Sequence, residues 1–294
     1  MRIFSQFKLS SVTLPRLLLL GMIGATYLWQ PMEVQAQTTP ATTPPALTPD
    51  EIKNILADSY ANDLNGDGNI NIIAFGDSIT RGVGDFTDPG DEVFFSSIPT
   101  GEAGYPLRVE QLIGVSITNL GVPGERLTTD GLVRFAAAIP RRRPDVVLLS
   151  GGSNDVFGHV SDNQYFRAVQ TMINIAKAAG SEVILIGTPP SCCLHDGSAY
   201  FTNGYNQQMQ ALAFTNEIPY VNAHQAFINS CGQAEDCFLL NLPDGLHPNS
   251  EGYDILGEAI TGALLRLDIT TASGIAQMEQ VLNVKAGSLS IEPN

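Results

Sequence analysis

Ser78 and His247 are the two residues of this sequence best suited to nucleophilic chemistry. A serine hydroxyl is a weak nucleophile at neutral pH and needs a base to take its proton. Ser78 stands in "AFGDSIT" (74–80), where the apolar run Ile70–Phe75 meets Gly76 and then a helix-compatible segment. Such a turn exposes the hydroxyl, and a helix N-terminus favours negative charge developing there. Taken alone, Gly76-Asp77-Ser78 reads more simply as a helix N-cap. His247 lies in "LPDGLHPNS" (242–250), a loop of turn formers, with Asp244 three residues before it. In a tight turn the Asp244 carboxylate reaches one imidazole nitrogen, fixes the tautomer and stabilises the imidazolium. Acyl transfer also requires donors aimed at a developing oxyanion. The candidates are the Ser78 N–H, the N–H of Gly121 in "NLGVPGE" (119–125), and the Asn154 amide in "LLSGGSND" (148–155).

These residues need a scaffold that gathers them, and the apolar pattern supplies one. Short apolar runs at Ile70–Phe75, Ser116–Leu120, Val146–Ser150, Val183–Gly187 and Ile218–Val221 read as strands. Helical patterns fall between and after them, near 104–113, 126–139, 163–180, 203–216 and 250–266. Alternation of this kind predicts an α/β fold with a five-stranded parallel sheet, because parallel strands need crossover connections. The runs are continuously apolar, as strands buried on both faces should be. Chemistry in such sheets collects at the carboxyl ends of strands, where Ser78, Gly121 and Asn154 all lie. A further helix is expected over 51–60, where Ile52, Ile55, Leu56 and Tyr60 share a face. The stretch 267–294 is weakly patterned and is left open as strand, helix or irregular chain.

Gly76-Asp77-Ser78-Ile79-Thr80, the isolated Gly121, Gly152-Ser153-Asn154-Asp155 and Asp244-Gly245-Leu246-His247 resemble, in order, the four sequence blocks of the SGNH (GDSL) hydrolases. The resemblance runs from about 70 to 266, and no block residue is missing. It implies a three-layer α/β/α fold with a flavodoxin-like sheet, in one domain over 51–294. It also implies Ser78 as nucleophile, His247 as base and Asp244 as the acid that orients it. Ser78, Gly121 and Asn154 would form the oxyanion hole. Members of the family cleave carboxylic esters and thioesters of lipids, or O-acyl groups on sugars, without a metal. Two other readings of the same residues are an O-acyltransferase and a carbohydrate-binding module that no longer turns over. The loops 84–104 and 188–205 are where an acyl pocket is expected.

Upstream of Ser78, "DLNGDGNIN" (63–71) imitates a calcium loop, with Asp63, Asn65, Asp67, Asn69 and Asn71 at the ligand spacing of an EF-hand. The acid required at position 12 is replaced by Ala74. A polar turn feeding the first strand is therefore the favoured reading, a weak structural calcium site the alternative, and no cofactor is required for the chemistry. Cys192, Cys193, Cys231 and Cys237 make an even count suited to disulfides. Adjacent cysteines seldom pair, so two bridges between the 192–193 and 231–237 segments are expected. His159, His195 and His224 read as loop or packing residues, with His195 and Asp196 placed to line a substrate cleft.

Residues 1–36 have the layout of a secretory signal peptide. Arg2, Lys8 and Arg16 precede the apolar run Leu17–Trp29, and Val34-Gln35-Ala36 offers small residues for cleavage. The run is shorter than the ~20 residues of a membrane span. A Thr/Pro-rich linker, 37–50, follows. The expected product is exported and carries no stable membrane anchor. Losing Arg2, Lys8, Arg16 and Glu33 takes the formal net charge from −15 to −17. So acidic a chain repels phosphate backbones, which argues against nucleic acid as a partner. Arg141, Arg142 and Arg143, before Pro144, are expected in a solvated loop.

Overall fold

β1 (Ile72–Gly76) is buried along its whole length and pairs in parallel with β2 (Ile117–Gly121) on one side and β3 (Val146–Ser150) on the other. β4 (Glu182–Ile186) and the two-residue β5 (Tyr220–Val221) extend the sheet, giving the parallel order β2-β1-β3-β4-β5. The computed structural model describes residues 45–85, 103–235 and 237–289. The signal-peptide stretch, most of the linker and nearly all of the 84–104 loop lie outside the described residues. Among the described residues no helix is long and apolar enough to cross a membrane.

Alternate strand residues feed two cores, as the two-residue period of a strand dictates. Ile72, Ala74, Leu148 and Ile184 pack with α3 (Gly104–Ile113), α8 (Ala223–Cys231) and α9 (Ser250–Leu264). Ile73, Phe75, Val147 and Leu185 pack with α4 (Leu132–Arg142), α6 (Asp162–Ala178) and α7 (Ala199–Asn216). This is a three-layer α/β/α architecture. α1 (Pro49–Asp58) begins with a capping box, Thr48 to Glu51, and carries Ile52 into a small third cluster with Leu265, Met278 and Val281. Met278 and Val281 belong to α10 (Ala272–Leu289), so the weakly patterned tail is a helix closing over α1.

The helical pattern near 126–139 resolves into two parts, a single irregular turn at Leu127–Gly131 and then α4. The cause is Asp155, whose carboxylate takes the N–H groups of Leu127 (2.9 Å) and Thr128 (3.0 Å) and the Thr128 hydroxyl (2.6 Å). Thr129 then turns away from helical geometry (φ −123°, ψ −105°). The arginine triplet also differs from expectation. Arg141 and Arg142 form the last turn of α4, and Arg143 ends it in the left-handed region at φ 44°. Basic side chains there suit the negative end of the helix dipole.

The expected disulfide pairing is wrong. Cys192 bridges its neighbour Cys193, and Cys231 bridges Cys237. Both bridges close locally. Cys231 ends α8, and the chain brings Cys237 back to a Cα separation of 4.9 Å, within the ordinary disulfide range. Cys193 takes a left-handed backbone, φ 60°, and Cys192 is held against Gly245 by its N–H on the Gly245 carbonyl at 2.8 Å.

Candidate active site

Ser78 opens α2 (Ser78–Arg81), directly beyond β1, and Asp77 caps that helix by accepting the Ile79 N–H at 3.0 Å. As the first residue of a helix, Ser78 has an N–H with no partner inside the helix. Gly76 and Gly121 make the tight passage possible. A Cβ on Gly76 would sit 2.7 Å from the Ser150 carbonyl oxygen, and one on Gly121 2.7 Å from the Thr80 carbonyl carbon. With strand order 2-1-3-4-5, the chain leaves β1 toward β2 on one side and returns to β3 on the other. The crevice at the carboxyl ends of β1 and β3 is thus the topological switch point. α5 (Ser153–Phe157) starts there and carries Asn154.

His247 reaches the same crevice from the loop before α9, 169 residues further along the chain, with Nε2 2.9 Å from Ser78 Oγ. On the other side of the ring, Nδ1 lies 2.9 Å from Asp244 Oδ2. That oxygen also accepts the Leu246 N–H (3.1 Å) and the His247 N–H (2.8 Å). Burial pushes the Asp244 carboxyl up, but the His247 hydrogen bonds and charge, with the two amides, outweigh it and hold the group below the usual carboxylate range. An ionised carboxylate only accepts, so it fixes the proton of His247 on Nδ1 and leaves the Nε2 lone pair facing the serine hydroxyl. Ser78, Asp244 and His247 are all buried.

Asn241 locks this loop to the rest of the site. Its Nδ2 donates to the carbonyls of Gly84 (3.0 Å), His247 (3.2 Å) and Pro248 (2.8 Å). Tyr253 of α9 donates its hydroxyl to the Val83 carbonyl at 2.7 Å. The segment after α2 and the His247 loop are therefore positioned together. Asp85, at the end of that segment, is held by Arg108 of α3 (2.6 and 2.8 Å), and Arg108 also reaches Asp254 of α9 at 2.8 Å.

The two other expected oxyanion donors are near strand ends but already engaged. The Gly121 N–H donates to the Asn119 side-chain oxygen at 2.9 Å. Asn154 Nδ2 donates to the Glu125 carbonyl at 3.1 Å, and a primary amide retains a second N–H. His159 and His195 line a cavity of about 740 Å³ with Phe157, Val160, Leu194 and Tyr205. His195 goes further than a cleft-lining role, since its Nδ1 stands 2.7 Å from the Asp244 carbonyl. No local sequence pattern marks His195 or Asn241 as partners of this loop. His224 is half-buried, and burial lowers its pKa.

In the 63–71 loop, side-chain oxygens turn onto the loop's own backbone. Asp63 accepts from Asp67 N (3.0 Å) and Gly68 N (2.8 Å), Asn65 from Asp67 N (3.0 Å), and Asp67 from Asn69 N (2.9 Å). The buried Asp145 carboxylate holds the loop by accepting from Leu64, Asn65 and Asn71 N–H groups. Ala74 lies fully buried in β1. Among the described residues no group of three His, Cys, Asp or Glu side chains is placed to hold a metal.

A family model for GDSL-like lipases and acylhydrolases matches residues 74–255, which include the Ser78 turn, the strand ends and the His247 loop. The chain belongs to the GDSL-like lipase/acylhydrolase family. Solved structures share the fold. A lipase/acylhydrolase from Enterococcus faecalis is 24% identical, with 67% of this chain and 96% of that one covered at a TM-score of 0.55. A catalytic mutant of an acetylxylan esterase from Geobacillus stearothermophilus is 21% identical, with 66% and 94% covered at a TM-score of 0.54. No curated protein matches the chain. The matched span of this GDSL-like chain includes Gly76 and Gly121, where the close approach of the β1, β2 and α2 backbones leaves no room for a Cβ.

Proposed function

We propose that this GDSL-like protein is an exported serine ester hydrolase, with Ser78 as nucleophile, His247 as general base and Asp244 as its orienting acid. The observation that carries the reading is the chain of two 2.9 Å contacts from Ser78 Oγ through the His247 ring to Asp244 Oδ2. As Ser78 Oγ attacks the ester carbonyl, its proton passes to His247 Nε2. Asp244, held as an anion, stabilises the imidazolium. The tetrahedral oxyanion takes hydrogen bonds from the Ser78 N–H and the second N–H of Asn154. The Gly121 N–H joins them by sharing or releasing Asn119. His247 then protonates the departing alcohol, leaving an acyl group on Ser78. Water, deprotonated by His247, attacks that acyl-enzyme, and the carboxylic acid leaves as the proton returns to Ser78.

The substrate class is a carboxylic ester, either a lipid acyl ester or an O-acetylated carbohydrate, and the acetylxylan esterase neighbour supports the carbohydrate arm. Its catalytic mutants stand at a serine, an aspartate and a histidine, the last two three positions apart, as Asp244 and His247 are. Export follows from the leader-like layout of residues 1–36. A fluorophosphonate, which phosphonylates an activated serine with loss of fluoride, tests the chemistry. It is expected to label the protein once, at Ser78, and Ser78→Ala is expected to abolish labelling. Folded protein that stays unlabelled would refute the proposal.

A further inference from the structure

The segment from Cys192 to His195 is laced to the loop that carries Asp244. Cys192 N–H donates to the Gly245 carbonyl (2.8 Å), Leu194 N–H to the Pro243 carbonyl (3.3 Å), and His195 N–H returns to the Cys192 carbonyl (2.7 Å). The approach is close enough to require glycine at 245, where φ is +70° and a Cβ would lie 2.8 Å from the Cys192 carbonyl carbon. This lacing delivers the His195 ring to Asp244. Nδ1 lies 2.7 Å from the Asp244 main-chain carbonyl and 3.5 Å from Oδ1 of the same residue. A carbonyl oxygen only accepts, so His195 Nδ1 carries a proton whether the ring is neutral or charged. Oδ1 is buried, and it is the carboxylate oxygen that His247 leaves without a hydrogen bond. Phe157 of α5 packs on the His195 ring, centroids 5.2 Å apart, on the side of the cavity.

We propose that His195 is a positioning residue for the hydrolytic reaction. Its Nδ1–H holds the Asp244 main chain and presents a positive dipole to Oδ1, so that Oδ2 stays committed to His247. The inference rests on the reading of Ser78, His247 and Asp244 as the reacting set. It gives Asp244 two imidazoles, one that shuttles the proton and one that fixes the acid in place. An asparagine at 195 would put an amide donor close to the position of Nδ1 while removing the ring and any charge, and an alanine would remove the donor outright.

The experiment compares His195→Ala and His195→Asn with wild type. It reads the second-order rate of fluorophosphonate inactivation, kcat and KM on p-nitrophenyl acetate, and thermal stability. His195→Ala is expected to lower kcat and the inactivation rate roughly ten- to a hundredfold, as a small misplacement of a reacting group does, with KM little changed. His195→Asn is expected to recover most of that loss. If His195→Ala does not fold, His195→Phe, which keeps a ring against Phe157 and lacks the donor, takes its place with the same expectation. A folded donor-less variant with wild-type rates, or an asparagine variant as impaired as the donor-less one, overturns the inference alone. Wild-type protein that neither labels at Ser78 nor turns over the ester overturns the hydrolase reading and this inference together.

Discussion

Asp77 and Asp244 flank the same serine–histidine pair, are both buried (1% and 4% exposed), and are driven in opposite directions. Asp77 Oδ1 accepts the Ile79 N–H, and its other oxygen is buried without a hydrogen-bond partner. Burial dominates there, and the helix cap and the His247 charge offset it only in part, so the Asp77 carboxyl is pushed up to about 6. Asp244 pays the same kind of desolvation penalty but concentrates two amides and an imidazole on Oδ2, and its pKa falls below the ordinary value. Burial sets the size of the penalty in both places. Deeper burial and the nearby Asp155 charge raise Asp77, while the donors gathered on Asp244 Oδ2 keep that carboxylate an anion able to stabilise an imidazolium.

The largest break in this comparison is Asp244→Asn. The amide keeps the shape but turns a donor or a weaker acceptor toward His247, which favours the wrong tautomer. Ester turnover is expected to fall by about 10⁴ while the variant folds. A loss smaller than tenfold would mean that another group orients His247. A milder test is Asp77→Asn, which keeps an oxygen for the Ile79 cap and removes the ionisation. Because the folded-state pKa of Asp77 is raised to about 6, the native state binds its proton more tightly than the unfolded chain. The Asp77 contribution to wild-type stability is therefore expected to decline as pH rises from about 4 through about 6, and to level off above that. The asparagine variant should lack this component. Across that window its stability should rise relative to wild type by up to about 3 kcal/mol, measured by denaturant unfolding at a series of pH values. Parallel curves for the two proteins would mean that Asp77 ionises normally.

Much of this arrangement was legible because it is local or periodic. The apolar-rich runs marked all five strands, although the edge strand β2 is partly exposed at Thr118, Asn119 and Leu120, and the four blocks in order marked the turn and the loop from which Ser78, Asp244 and His247 meet. Contacts without a local signature were not legible. Asp155 reads as the last letter of a turn motif, yet it reshapes 127–131 from 28 residues away in sequence. His195 carries no spacing relationship to Asp244, because the two meet only when the segment after β4 crosses the loop before α9. The vicinal disulfide was missed for the opposite reason. The bridge is local, but the usual geometry of adjacent cysteines argues against it, and the left-handed backbone of Cys193 (φ 60°) is not written in the sequence.

A third aspartate extends the comparison to an exposed setting and carries the smallest expected effect. Asp63 begins a loop whose sequence imitates a calcium site more completely than the Ser78 turn imitates anything, yet its oxygens are already satisfied by Asp67 and Gly68 amides. The loop is held from below by Asp145, which accepts three further amides, and the position that should supply the last ligand is Ala74 inside β1. Folding of the loop thus draws on its own hydrogen bonds, and Ser78 is positioned by β1 and α2 whatever the loop binds. Dialysis against EDTA is expected to leave ester turnover unchanged, and Asp63→Ala to cost about 1 kcal/mol or less in stability, since water can replace exposed partners. If EDTA lowers the melting temperature and calcium alone restores it, the loop holds the ion. Turnover that follows the same pattern would show that β1 transmits the strain of an empty loop to Ser78, and the separation between loop and site would fail with it.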